Sequence, residues 1–127
     1  ILAKTKGKDK LVIVTDSLSL KGSKPGRYLT DDGSEANTIC EDGICRLDNG
    51  TLCGSVRTLN QNLAYAIKEV GIDYVTAINA VTINPMKLFN INDKGLIKQG
   101  YKADLAIFDD DYNTKEVYID GKVAKLG

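Results

Sequence analysis

The sequence predicts an α/β chain in which β-rich stretches lie on either side of a helical middle. Three observations carry that reading. An unbroken apolar run, "LVIVT", occupies residues 11–15. Val56, Leu59, Leu63, Ile67 and Val70 recur at spacings of three and four, the signature of one apolar helix face. Beyond Gly95 the pattern returns to β in "GLIK", "ADLAIFD" and "EVYIDGKVAK".

From the N-terminus, the run at 11–15 lacks period-2 alternation. That fits a strand buried on both faces, as in a parallel sheet, and periodicity does not separate it from a short buried helix. The run ends in Asp16. This carboxylate either caps the loop that follows or stands at a strand end as a functional group, and the local sequence leaves both readings open. Residues 21–54 read as a β-rich insert with turn signals at "KPG", "DDG", "EDG" and "DNG". Within "TICEDGICRL" the Asp42-Gly43 pair signals a hairpin, and a two-residue loop there sets Cys40 directly across from Cys45. The helical stripe then gives a helix over 55–70, with Thr58 and Gln61 spaced as a capping box and Gly71 as its stop. A second helix runs from Asp73, a good N-cap, through Ala77, Ile78 and Val81. Asn84-Pro85 ends it and opens a further turn through Leu88 and Phe89, with Pro85 in first position. Asp120-Gly121 predicts a last hairpin.

Acidic and basic residues number 17 each among 127, for a formal charge of zero, so neither a nucleic acid nor an anionic membrane surface is expected as partner. No apolar stretch approaches the length that spans a bilayer, and no signal peptide is read at the start. Three cysteines, an odd number, suit reduced thiols in a cytoplasmic protein better than a disulfide framework. Histidine is absent, so any imidazole metal site or proton relay must come from another segment or chain. The opening "ILAKTKGKDK" has no initiator methionine, and the two ends read as different architectures. A piece of a larger protein is the expectation.

Four motifs occur in one order: "VTDS" at 14–17, "GTLCGS" at 50–55, "AINAVTINPMKLF" at 77–89 and "KGLIKQGYKADLAIFD" at 94–109. Together they resemble the C-terminal third of the N-acetylglucosamine-6-phosphate deacetylase family, within the amidohydrolase superfamily. The "NP" motif and the later "G…G-x-x-A-D-L" pattern are general to many amidohydrolases, "G-T-L-x-G-S" after a turn-rich insert points to the deacetylases, and it is the combination that carries the resemblance. The resemblance implies a fold: the C-terminal fragment of a metal-dependent (β/α)8 barrel plus strands of a small composite β-sandwich. Residues 1–94 would belong to the barrel, with Leu11–Thr15 as its eighth strand and the insert at about 21–54. Residues 95–127 would supply sandwich strands.

The resemblance also implies chemistry. Barrel active sites lie at the C-terminal ends of strands, which favours the catalytic reading of Asp16. The reaction implied is hydrolysis of the acetamide of N-acetylglucosamine 6-phosphate, in amino-sugar catabolism. A divalent metal, zinc or another transition metal, activates the water, and Asp16 serves as general base and then general acid. The metal ligands, a glutamate and two histidines, lie upstream of this chain, so the fragment alone is expected to be inactive. Leu52, Cys53 and Gly54 are carried over as substrate-binding residues that hold the sugar's acetamido end. Cys53 stands where many relatives have alanine, and as a thiol it reads as a small buried group rather than a nucleophile. A cytoplasmic homo-oligomer is implied. Two alternatives remain: another amidohydrolase with a different amide or ring substrate, and a folding or assembly module without activity.

Of the remaining residues, Cys40 and Cys45 fit no zinc spacing and read as structural. Asp109, Asp110 and Asp111 read as a solvated turn, and Tyr101, Tyr112 and Tyr118 as packing or surface residues.

Overall fold

A computed structural model describes residues 1–29, 33 and 36–124. Its elements are α1 (Leu2–Lys6), β1 (Gly26–Leu29), β2 (Ala36–Ile39), β3 (Ile44–Leu47), β4 (Leu52–Ser55), α2 (Leu59–Lys68), α3 (Tyr74–Val81), α4 (Ile83–Leu88), β5 (Leu105–Phe108), β6 (Thr114–Ile119) and β7 (Lys122–Val123). The chain divides into two compact units, Val14–Leu59 and Ile1–Ile13 with Asn60–Gly127.

The unit at Val14–Leu59 is an antiparallel four-stranded meander in the order β1-β2-β3-β4. Its turns are built alike. At Cys40–Gly43 and at Leu47–Gly50 the glycine N–H donates back to the carbonyl three residues earlier, at 2.9 and 2.8 Å. Each glycine has positive φ, +77° at Gly43 and +83° at Gly50. An Asx side chain steadies each turn: Asp42 Oδ1 accepts from Ile44 N and Asn49 Oδ1 from Thr51 N. These are three-residue loops, a type I turn followed by a left-handed glycine.

That geometry corrects the expected pairing of the cysteines. Ile39, not Cys40, stands opposite Cys45. A two-residue type I′ loop needs both central residues at positive φ, and of the Asp42-Gly43 pair only Gly43 has it. The slip by one residue sends Cys40 and Cys45 to opposite faces of the sheet. The "DDG" turn signal includes Asp31 and Asp32, which lie outside the described residues.

In the other unit, Asp73 caps α3 as expected, its Oδ1 accepting from Thr76 N at 3.0 Å. Ala77 and Ala80 are fully buried on that helix. The boundary after α3 falls at Thr82 rather than at Asn84-Pro85, and Pro85 is the third residue of α4, not the first. A proline there removes only an N–H that has no partner within the helix. Asn84 is buried, and its Nδ2 donates to Lys8 O at 2.7 Å and Leu11 O at 2.8 Å, so the motif anchors the segment before residue 12. β5, β6 and β7 form an antiparallel sheet in that order. The Asp120-Gly121 hairpin is as expected: Ile119 pairs with Lys122, and both loop residues have positive φ.

Three further expectations change. "GLIK" is not a strand among the described residues. The helix expected over 55–70 starts only at Leu59, because Ser55 belongs to β4. Leu11–Thr15 forms no strand ladder among the described residues; Ile13 N donates instead to Ala80 O, and Thr15 O accepts from Ser55 Oγ. The first β pairing comes at Ser17, a single parallel bridge to Ser55.

Candidate functional site

Asp16 and the Leu52–Gly54 segment come together within the Val14–Leu59 unit. Asp16 has φ +48°, in the left-handed region that aspartate enters more readily than most residues. Its carboxylate is exposed and takes no hydrogen bond or ion pair among the described residues. It caps nothing; turns, not a helix, follow it.

The backbone around Asp16 is held by β4. Asp16 O accepts from Ser55 N at 2.9 Å, Ser55 O accepts from Leu18 N at 2.8 Å, and Ser55 Oγ donates to Thr15 O at 2.5 Å. Gly54 makes this approach possible. A Cβ there would lie 2.9 Å from Asp16 O and 3.1 Å from Leu18 Cγ, and its φ of +131° is one that side-chain-bearing residues rarely adopt. So of the three segment residues, Gly54 lies directly against the Asp16 backbone.

Leu52 is 61% exposed. Cys53 is the extra residue of a β-bulge, since Cys45 pairs with Gly54 and Arg46 with Leu52. Its Sγ donates to Asn37 Oδ1 at 3.2 Å. Asn37 and Ile39 share a face of β2, and Ile39 is opposite Cys45, so the bulge turns Cys53 toward the face of Cys45. Burial, and then the hydrogen bond with Cys53, push the Cys45 thiol up to about 11. A thiol that stays protonated is a packing group rather than a nucleophile. Cys40, Cys45 and Cys53 are all free.

Among the described residues no group of three or more His, Cys, Asp or Glu side chains could hold a metal ion. The donors present therefore do not make a metal centre. The acidic run at 109–111 is a turn: Asp109 accepts from Asp111 N, Asn113 N and Asn113 Nδ2, and pairs with Lys115 at 3.0 Å. These partners, Lys115 foremost, hold the Asp109 carboxyl well below the usual carboxylate range. It lines a cleft of about 340 Å³ with Tyr74, Ile78, Ala106, Phe108 and Tyr112. Because its oxygens are committed to the turn, that cleft offers no free base at Asp109.

The residue that sequence reasoning passed over is Ser55. Its motif was visible, but helical periodicity drew it into the following helix.

Residues 2–124 match the profile of the Amidohydrolase family. The chain is 32% identical over 121 residues to the N-acetylglucosamine-6-phosphate deacetylase of Haemophilus influenzae, covering 94% of this chain and 31% of the relative. It is 29% identical over 120 residues to the N-acetylgalactosamine-6-phosphate deacetylase of Shewanella sp. (strain ANA-3), covering 94% of this chain and 30% of that protein. The crystal structure of N-acetylglucosamine-6-phosphate deacetylase from Thermotoga maritima superposes with a TM-score of 0.82 at 30% identity, over 96% of this chain and 33% of that one. The chain thus spans about a third of the length of these relatives.

Proposed function

The chain belongs to the amidohydrolase family, and from that premise we propose that the protein carrying it hydrolyses the acetamide of N-acetylglucosamine 6-phosphate to glucosamine 6-phosphate and acetate. The observation that carries the reading is Asp16: an exposed, unengaged carboxylate on a left-handed backbone, held against the Gly54-Ser55 segment by hydrogen bonds. The names of the relatives supply the substrate class.

In this reading the Asp16 carboxylate accepts a proton from the attacking water as its oxygen bonds to the amide carbon. It then delivers that proton to the amine nitrogen as the C–N bond breaks. Leu52, Cys53 and Gly54 line the acetamido end of the sugar. Amidohydrolases are generally metal-dependent; because the described residues of this chain offer no metal centre, zinc or another transition metal would be held by residues outside it. The fold that goes with this reading is the last part of a (β/α)8 barrel over 1–94, with Leu11–Thr15 edge-on to strands this chain lacks, and sandwich strands over 95–127. It further implies a homo-oligomer of the cytoplasm with no nucleic-acid or membrane partner. No helix among the described residues is long and apolar enough to cross a membrane.

The test is Asp16→Asn in the full-length protein. Asparagine tolerates the left-handed backbone and keeps the size, but cannot act as base. We expect turnover to fall by about 10²–10⁴ with metal content nearly unchanged. Near-normal turnover would remove Asp16 from the mechanism. The galactosamine-type relative favours a second reading, the 4-epimer as substrate, and kcat/KM for the two sugar phosphates measured side by side decides between them.

A further inference from the structure

We propose that Ser55 is the positioning residue that aims the Asp16 carboxylate, an inference that rests on the catalytic reading of Asp16. Two peptide planes flank the Asp16 Cα, and Ser55 anchors both. Its hydroxyl donates to the carbonyl of Thr15, which fixes the plane before Asp16 and so φ. Its backbone N–H donates to the carbonyl of Asp16, which fixes the plane after it and so ψ. With both dihedrals set, the direction of the Cα–Cβ bond is set. A third bond, from Leu18 N to Ser55 O, closes the loop on its far side.

This matters because nothing else aims the side chain. The carboxylate takes no partner of its own among the described residues, so its direction comes from the backbone alone. That backbone lies in the left-handed region, at φ +48°, which an unanchored aspartate would leave for more populated conformations. Gly54 contributes the space: only without a Cβ at that position do Ser55 and the Asp16 carbonyl come within bonding range. The motif end "C-G-S" therefore reads as glycine for approach and serine for anchoring.

Of the two Ser55 anchors on Asp16, only the hydroxyl bond can be removed by substitution, and that gives the test in the full-length protein. Ser55→Ala should lower kcat by about 10- to 100-fold, the cost of a small misplacement of a reacting group. KM should change by less than about threefold, so that the loss falls on kcat. Ser55→Thr restores the hydroxyl in a strand position that suits threonine, and should recover most of the activity. Ser55→Cys, nearly isosteric but a weak donor, should fall between wild type and alanine, and serves if the threonine methyl is not accommodated. Because Ser55 acts through Asp16, Ser55→Ala should cost nothing further in an Asp16→Asn background. An additive double variant, or wild-type kcat in Ser55→Ala beside a disabled Asp16→Asn, overturns the positioning role and leaves Asp16 standing. Wild-type turnover in Asp16→Asn overturns the catalytic reading, and the role of Ser55 with it.

Discussion

At the scale of single residues, side chains whose identity is dictated by one contact are distinguished from those that merely fill space. Gly54 is dictated, by the 2.9 Å approach to Asp16 O and by its φ. Asp16 itself was legible as an odd carboxylate after an apolar run, but its left-handed backbone was not, because φ at one residue is set by partners 39 positions away in sequence. Cys45 fills space, and its burial has a measurable consequence. Its thiol is raised from 9.0 to about 11 in the folded chain. Between those values the unfolded state releases the proton and the folded state keeps it. The unfolded state then binds fewer protons, so stability falls as pH rises through that window. We expect chemical-denaturation midpoints to drop from pH 9 to 11, and the drop to be smaller in Cys45→Ala. In the native protein at pH 8, Cys45 should be the slowest of the three thiols to be alkylated, and mass spectrometry after a timed iodoacetamide pulse reads the order. Rapid labelling of Cys45 would contradict both its burial and its raised pKa.

At the scale of elements, the two Asp-Gly pairs show where sequence reading succeeds and where it stops. Asp120-Gly121 has both residues at positive φ and closes β6 onto β7 in two residues. Asp42-Gly43 looks the same in sequence, yet only Gly43 has positive φ, and the loop takes three residues. Local composition signals a turn; its length is decided by the register the whole sheet adopts. The same limit explains α2. Its middle was legible because periodicity is local, and the Thr58–Gln61 spacing marked the start seen at Leu59; only the extension back to 55 fails, because Ser55 is claimed by pairing with Cys45's strand and with Ser17. Asn84 was read as a helix breaker and proves to be a buried anchor on Lys8 and Leu11, a long-range role with no local signature. The shared turn design yields a clean prediction at Gly50, where a Cβ would meet nothing within 4 Å. Only backbone conformation is then at stake. Gly50→Ala should cost about 1 kcal/mol, Gly50→Asn distinctly less because asparagine tolerates the left-handed region, and a β-branched residue more. Equal destabilisation by alanine and asparagine in urea titrations would mean that the turn is not what the glycine serves.

At the scale of the whole chain, the decisive feature is apolar surface that its own elements do not cover. The β5–β7 register puts Leu105, Ile107, Tyr118 and Val123 on one face of the sheet, since Leu105 pairs with Tyr118 and Tyr118 with Val123. Leu105, Ile107 and Val123 on that face are exposed. Within the run that was expected to be a buried strand, Val14 is 67% exposed; Leu59, which opens α2, and Val70, two residues past its end, are exposed as well. Apolar side chains exposed together on one sheet face, as Leu105, Ile107 and Val123 are, mark an interaction site or an association hazard. The chain spans about a third of its relatives' length, and in the proposed reading the remainder of the barrel would cover these faces. The isolated 127-residue polypeptide should therefore self-associate, and should show no deacetylase activity with any added divalent metal. Sedimentation velocity over a hundredfold range of concentration should give a rising weight-average mass. Ile107→Lys together with Val123→Lys should lower it, the first lysine facing Glu116 across the ladder and so costing the fold little. If the unsubstituted polypeptide stays monomeric at high concentration, with slow hydrogen exchange at Leu11–Thr15, the chain satisfies its own edges and is a self-sufficient domain rather than a part of a larger barrel.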